Sequence, residues 1–328
     1  MLTVAIGAII AALTFDFLNG FHDAANSIAT IVGTRVLRPL QAVAIAAFAN
    51  FVGPFLFGVA VATTIGKGII NPDFVTIDII IAALAGAIAW DFITWLLGLP
   101  TSSSHALVGG IIGAGLAGAG TKAIVFDGIQ KTLMGIVISP TVGLIIGFLI
   151  ALLIMGIFAK FKPHAVNSAF GRLQLVSSTY FSLTHGANDG QKTMGIIALI
   201  LLTQGVITKF QIPSYVILMA AVAMSLGTFF GGWRIVKTMA FKITQLKPYQ
   251  GFSAETGAAT ILATLAWLGI PASTTHAISG AIMGVGAVRR MAAVRWGVGK
   301  RIVWAWVITI PASASVSAII MILIKAIS

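Results

Sequence analysis

The chain has 328 residues and a mean hydropathy of +1.04, with 58% hydrophobic and only 9% charged residues. A water-soluble domain of this size cannot bury so much apolar surface, so the composition indicates a polytopic helical membrane protein. The formal charge of +12 lies in short loops between apolar spans, which is typical of membrane orientation and excludes nucleic acid as a partner. Cysteine is absent, which excludes disulfides and thiol chemistry.

The first apolar stretch, residues 1–32, is interrupted by a polar segment at residues 19–26. Irregular backbone at membrane depth is tolerated where protein or a water-filled cavity satisfies its polar groups. We therefore predict one helix that is broken near the middle of the membrane. An uncharged run over residues 39–66 and a short mixed loop over residues 67–78 follow.

The next apolar stretch, residues 79–119, contains the polar motif Pro100-Thr-Ser-Ser-Ser-His105. The motif recurs 171 residues later (105 to 276) as Pro271-Ala-Ser-Thr-Thr-His276. Proline ends one helix and a following Ser or Thr caps the next, so each copy predicts a half-helix that begins inside the membrane. The N-terminus of such a helix binds anions. Two of them in one membrane protein predict a transporter of a small oxyanion.

The second half begins after Arg172, and its first apolar stretch, residues 173–202, is interrupted by a second polar segment at residues 185–192. This segment predicts a second broken helix, because Asp189 lies 166 residues after Asp23 (23 to 189). The last apolar span, residues 302–324, is about 34 Å long as a helix, which is enough to cross a bilayer.

Charged loops of one half correspond to neutral loops of the other. The loop with Arg35 and Arg38 corresponds to the uncharged residues 199–205, and the balanced loop 67–78 corresponds to the basic loop 234–247. This exchange predicts two repeats of inverted topology, residues 1–160 and 161–328. The predicted fold is an all-α polytopic membrane protein with broken helices and two re-entrant hairpins, and with both termini outside the cell.

Asp23 and Asp189 occupy equivalent positions in the two halves. A charged residue at bilayer depth costs about 2.5–3.5 kcal/mol, so such a residue is usually functional or paired. A structural ion pair, for instance between Asp23 and Lys192, is the alternative. Asn26 and Asn188 add amide oxygens beside the carboxylates. Several hard oxygen donors suit sodium, and a proton on Asp is also chemically possible.

Lys192 stands where the first half has Asn26, and it either contacts a bound anion or neutralises an aspartate. His105 and His276, at the third or fourth position of their half-helices, suit packing or capping. The sequence leaves open the roles of His22, His185, Asp16, Asp91 and Glu255. We interpret Asp16, Asp91 and Glu255 as structural. Of these three carboxylates, Glu255 is the better functional candidate.

These motifs resemble those of the inorganic phosphate transporter (PiT) family, whose halves each carry a Gly-Ala-Asn-Asp signature. The second half has Gly186-Ala-Asn-Asp189 and the first has Gly20-Phe-His-Asp23, with His22 in place of Asn. Lys192 stands in place of the second-half Asn that would match Asn26. The motifs that end at His105 and His276 also resemble the family, and the resemblance spans nearly the whole chain.

The resemblance implies a secondary transporter of the cell membrane that assembles as a homodimer. It implies neither an enzymatic activity nor a cofactor. It implies import of inorganic phosphate with sodium or protons, and we take sodium as the coupling ion. Family phosphate residues carry over to Ser102, Ser103, Ser104, Ser273, Thr274 and Thr275, to which we add Lys192. Family cation residues carry over to Asp23, Asn26, Asn188 and Asp189.

A charge count also favours symport. Doubly charged phosphate beside Asp23 and Asp189 brings together about four negative charges, of which Lys192 and two half-helix dipoles offset about two. The remaining charge is costly in a low dielectric, and cations that bind with phosphate would remove that cost. Sulfate permeation on the same fold is the alternative substrate. A membrane hydrolase would need an asymmetric catalytic cluster, whereas these residues come in matched pairs, and a passive anion channel needs no intramembrane carboxylates.

Overall fold

The computed structural model describes residues 2–327, within which twelve α-helices account for most of the chain. The first six are α1 (Leu2–Gly33), α2 (Pro39–Val52), α3 (Ala60–Gly68), α4 (Ile77–Leu97), α5 (Ser103–Ala119) and α6 (Phe126–Ile157). The second six are α7 (Pro163–Thr203), α8 (Ser214–Phe230), α9 (Trp233–Phe241), α10 (Pro248–Trp267), α11 (Thr274–Ala287) and α12 (Trp296–Ile327). Both sets follow the same order of long, bent, paired and long helices.

Four of the described helices, α1, α4, α6 and α12, are long and apolar enough to cross a membrane. Two bent pairs, α2 with α3 and α8 with α9, are apolar enough to add two more spans if each pair crosses as one unit, and they bend by 76° and 67°. The prediction of an all-α polytopic membrane protein with broken helices is therefore confirmed.

The breaks lie elsewhere than the sequence indicated. The predicted breaks at residues 19–26 and 185–192 are wrong, because α1 and α7 run through both segments as continuous helices. The glycines there serve close packing: a side chain at Gly20 would overlap the carbonyl oxygen of Met224, and one at Gly186 would overlap Asn50. The α8–α9 bend follows Gly231, whose φ of 66° favours glycine.

Two hairpins bring the Ser/Thr motifs into the bundle. Helix α4 packs on α5 and α10 packs on α11, and each pair is joined by a short link that contains the motif proline. The links begin near Gly98 and Gly269, which have φ values of 63° and 66°. Ser102 and Ser273 cap α5 and α11. Their Oγ atoms accept hydrogen bonds from the backbone N–H groups of His105 and His276, the third residues of these helices, at 3.4 and 3.1 Å.

Each half-helix packs on the last helix of the other half, α5 on α12 and α11 on α6. Glycines four residues apart make these contacts, because a side chain at any of them would strike a backbone carbonyl of the facing helix. The glycine–carbonyl pairs are Gly109 with Ile310, Gly113 with Ala314, Gly280 with Pro140, and Gly284 with Leu144. The two halves therefore hold each other's motifs in place.

We expect Gly113→Ala to destabilise the protein, because the new methyl group would overlap the backbone of Ala314 on α12. Overpacking of this kind typically costs about 1–3 kcal/mol. The thermal unfolding temperature of the purified protein in detergent measures the effect. Gly156→Ala is the matched control, since no atom outside the adjacent backbone of α6 lies within 4 Å of a carbon added at Gly156. Equal unfolding temperatures for the two variants would contradict the packing argument.

Candidate anion and cation site

The N-termini of α5 and α11 meet in the centre of the bundle. Ser104 Oγ donates to the carbonyl oxygen of Ala272 at 3.4 Å, and the rings of His105 and His276 lie edge to face with centroids 4.7 Å apart. His276 also stacks on Trp306 at 3.9 Å. The two histidines thus pack the half-helices against each other, which agrees with their predicted role. Because both helix N-termini face one volume, their free N–H groups favour an anion there.

Six hydroxyl residues of the two motifs are buried around this junction: Ser102, Ser103, Ser104, Ser273, Thr274 and Thr275. Ser102 and Ser273 accept capping hydrogen bonds, which leaves each hydroxyl hydrogen free to donate. Ser103 Oγ makes no hydrogen bond of regular geometry among the described residues, and its polar neighbour is the carboxylate of Asp91. A buried hydroxyl without a regular hydrogen bond costs about 1–3 kcal/mol, which a bound oxyanion would relieve.

The carboxylates of Asp23 and Asp189 come together although they lie on different helices. A ligand atom from each, together with one from His185, lies within 4.8 Å of the other two. Thr275 Oγ1 donates to Asp23 Oδ1 at 3.5 Å, and Thr274 Oγ1 donates to Asp189 Oδ2 at 3.3 Å. The hydroxyls of the second anion motif therefore touch both carboxylates.

Lys192 connects the carboxylates to the first anion motif. Its ammonium group donates to Asp189 Oδ1 and to Ser104 Oγ, and the side chain is 0% exposed. A charge buried so completely requires a partner, which Asp189 provides. The alternative ion pair between Asp23 and Lys192 is not formed. Asp23 Oδ1 instead lies 2.8 Å from Nδ1 of His22.

Asn26 and Asn188 are both buried, and each carries an amide oxygen that could bind a cation. The amide nitrogen of Asn26 donates to Thr275 and Thr274 at 2.9 and 3.2 Å, and that of Asn188 donates to the carbonyl oxygen of Leu262 at 3.2 Å. Neither amide oxygen has a hydrogen-bond donor among residues 2–327. Carboxylates and buried amide oxygens without donors are hard oxygen ligands of the kind that sodium prefers.

A polar layer of Asn50 and Thr228 lies behind His185 and was not predicted from the sequence. Nδ1 of His185 lies 3.1 Å from Oδ1 of Asn50, whose amide nitrogen donates to Thr228 at 2.8 Å. His185 Nε2 faces Asp189 Oδ2 at 3.4 Å, so this layer orients the imidazole toward the carboxylate. Asn50 could have been found as the asparagine near the middle of the uncharged run 39–66.

The remaining buried carboxylates differ in how they are satisfied. Glu255 accepts hydrogen bonds from Thr30 at 2.6 Å, Gln174 at 3.0 Å and Ser177 at 2.5 Å. This network ties α10 to α1 and α7, which agrees with a structural role. Neither carboxylate oxygen of Asp91 accepts a hydrogen bond of regular geometry among the described residues, although the hydroxyl of Ser103 is its neighbour.

Comparisons with known proteins agree with this architecture. A model of the phosphate transporter family matches residues 19–317. A "probable low-affinity inorganic phosphate transporter" of Rhizobium meliloti (strain 1021) is 56% identical over 96% of this chain and 94% of its own, and a protein of the same description from Bacillus subtilis (strain 168) is 44% identical over 97% and 96%.

A solved structure described as "the sodium-dependent phosphate transporter" superposes on the chain with a TM-score of 0.89. The two sequences are 30% identical, and the match covers 99% of this chain and 100% of the other. Fold, motifs and relatives agree over nearly the full length. This chain therefore belongs to the phosphate transporter family and is a multi-pass membrane transporter of phosphate rather than an enzyme.

Proposed function

We propose that the protein imports inorganic phosphate across the cell membrane by symport with sodium. The observation that carries this proposal is that Thr274 and Thr275 belong to an anion-binding helix N-terminus and also touch Asp189 and Asp23. A cation between the carboxylates and an anion at the hydroxyls would be neighbours. Each ion would then lower the electrostatic cost of burying the other, and this mutual dependence is the physical basis of coupling.

The phosphate site in this proposal comprises the hydroxyls and N-terminal N–H groups of α5 and α11, together with the ammonium group of one lysine. Its residues are Ser102, Ser103, Ser104, Ser273, Thr274, Thr275 and Lys192. Phosphate oxygens accept hydrogen bonds from all of these donors. Lys192 would exchange its contact with Ser104 for a phosphate oxygen while it keeps Asp189.

The cation site comprises Asp23, Asn26, Asn188 and Asp189. Sodium is favoured over a proton because a proton needs one titratable group, whereas this site offers four side chains with oxygen donors. The solved relative with the same fold is described as sodium-dependent, which supports the same choice. Proton coupling through the two aspartates is the alternative, and sulfate is the alternative anion.

Uptake into proteoliposomes tests the proposal. Labelled phosphate should accumulate when an inward sodium gradient is imposed at constant pH, and choline in place of sodium should abolish the accumulation. An excess of unlabelled sulfate should leave phosphate uptake unchanged. Equal phosphate uptake in choline with an imposed proton gradient would show that protons, and not sodium, are the coupling ion. Inhibition of phosphate uptake by sulfate would show that sulfate binds the same site.

Removal of the hydroxyl group of Ser103 or of Thr274 tests the phosphate site directly. Ser103→Ala and Thr274→Ala each remove a hydrogen bond to a charged ligand, which is worth about 1.5–3 kcal/mol, so phosphate affinity should fall at least about tenfold. Binding of labelled phosphate to the purified variants measures the effect. Ser315→Ala is the matched control, because Ser315 is exposed on α12 and bonds only the preceding turn. Unchanged affinity in both site variants would remove these residues from the site.

We further propose that residues 1–160 and 161–328 are inverted repeats, that both termini lie outside the cell, and that the chain forms a homodimer. The matched helix order and the start of α7 at Pro163 support the repeats. Cysteines placed singly in the basic segments 234–247 and 289–301, which include most of α9 and the start of α12, should react only with reagents that reach the cytoplasm. Reaction of the two segments from opposite sides would contradict this orientation. Cross-linking in membranes measures the oligomeric state.

A further inference from the structure

A cavity of about 640 Å³ lies outside the phosphate and cation sites, and none of the residues assigned to those sites lines it. Its walls come from the link between α9 and α10 and from the link between α11 and α12. Backbone and side-chain bonds join the two links, since Arg295 N donates to Ile243 O at 2.9 Å and Thr244 Oγ1 donates to Ala293 O at 3.1 Å. The cationic lining residues are Lys247, Arg289, Arg290 and Arg295.

This cavity carries a positive charge that no carboxylate of residues 2–327 pairs with. Beyond residue 127 the sequence contains only two acidic residues, Asp189 and Glu255, and both are buried elsewhere in the bundle. The ion pairs of the described residues all involve Asp23 or Asp189. Four cationic side chains around one cavity without a carboxylate partner favour an anionic ligand.

An apolar groove of about 280 Å³ adjoins the cavity and shares Lys247 and Arg289 with it. The groove runs between the end of α6 and the start of α7, and its apolar walls include Ile154, Phe158 and Phe161. Phe161 is 60% exposed, so the groove is open at the surface. A ligand that fills both spaces has a charged end and a hydrocarbon end.

Two polar atoms in the groove lack partners. Tyr249 is only 5% exposed, and its hydroxyl group has no hydrogen-bond partner within the described part of the chain. The Oδ1 atom of Asn167, also on the groove wall, is buried without a donor. A buried phenol is normally hydrogen-bonded, so this hydroxyl indicates an acceptor supplied from outside the chain. The ester and phosphodiester oxygens of a glycerolipid lie where charged and hydrocarbon ends join.

We propose that the cavity and the groove together bind an anionic phospholipid. The phosphodiester contacts Lys247 and the arginines, the glycerol region contacts the hydroxyl of Tyr249, and one acyl chain lies along Phe158 and Phe161. Basic pockets beside membrane-spanning helices bind anionic lipid headgroups in this way. A water-soluble phosphate compound would use the basic cavity but would leave the groove without a ligand, so the combination favours a lipid.

Native mass spectrometry of the full-length protein tests the proposal. The protein is released from detergent micelles that contain equal amounts of phosphatidylglycerol and phosphatidylcholine. The unmodified protein should retain phosphatidylglycerol selectively. Arg289→Gln with Arg290→Gln should weaken that retention about tenfold or more, because two of four headgroup cations are lost. Lys300→Gln with Arg301→Gln is the matched control: it removes the same charge from exposed positions that line neither space. Equal losses in the two variants would overturn the site.

Two further measurements separate a lipid from a small anion. Tyr249→Phe, which keeps the ring and removes only the hydroxyl group, should reduce retention several-fold even if the double arginine variant does not fold. Glycerophosphoglycerol, the same headgroup without acyl chains, should displace phosphatidylglycerol only at far higher concentration. Equal potency of the lipid and its soluble headgroup, or full retention in Tyr249→Phe, would contradict the proposal.

Discussion

Sodium-dependent phosphate uptake should be lost in Asp189→Asn. The substitution keeps the size of the side chain, but it replaces one acceptor oxygen by an NH2 group and removes a charge from the proposed cation site. At an effective dielectric constant of about 20, two unit charges 4 Å apart interact by about 4 kcal/mol, which corresponds to about a thousandfold in cation affinity. Initial uptake rates in proteoliposomes, measured over a range of sodium concentrations, should therefore show no saturable sodium dependence.

The matched control is Asp127→Asn, which makes the same change of charge at an exposed position in the first turn of α6. Its uptake should equal that of the unmodified protein. Asp23→Asn should behave like Asp189→Asn, because Thr275 contacts Asp23 as Thr274 contacts Asp189. Sodium-dependent uptake that survives in either site variant would show that the carboxylate does not bind the coupling ion.

The sequence predicted the two half-helices correctly because their signals are local. A proline that cannot continue a helix and a serine that caps the next helix act within a few residues, as Pro100 and Ser102 show. The predicted equivalence of Asp23 and Asp189 rests on spacing alone. These elements position most of the candidate site, so its residues could be named without coordinates.

The predicted breaks in α1 and α7 failed because a glycine has two uses that sequence does not separate. Gly20 and Gly186 could open a helix or let another helix approach, and only the positions of Met224 and Asn50 decide between the two. The partner of Lys192 was undetermined for a similar reason. Both aspartates were available in sequence, and the choice of Asp189 follows from a spacing of three residues on one continuous helix, which the predicted break obscured.

The pairing of Lys192 leads to the largest expected change in stability. In Lys192→Gln the carboxylate of Asp189 stays buried without its ammonium partner, and breaking a buried pair from one side typically costs about 3–5 kcal/mol. Chemical unfolding in detergent without sodium should show a loss of this size. Lys131→Gln, at an exposed position of α6, should show none. Asp189→Asn combined with Lys192→Gln should recover most of the loss, because neither charge remains.

In this site Lys192 has two proposed functions: it neutralises Asp189, and it contacts phosphate. The effect of sodium on stability measures the first, and phosphate affinity measures the second. Sodium can replace the missing positive charge beside Asp189, so added sodium should stabilise Lys192→Gln more than the unmodified protein. It should not restore phosphate affinity, because the donor shared with Ser104 is absent. The double variant should likewise be stable and yet bind phosphate weakly. If Lys192→Gln is as stable as the unmodified protein without sodium, the ion pair does not balance the buried charge of Asp189. If the double variant binds phosphate with normal affinity, Lys192 does not contact the anion.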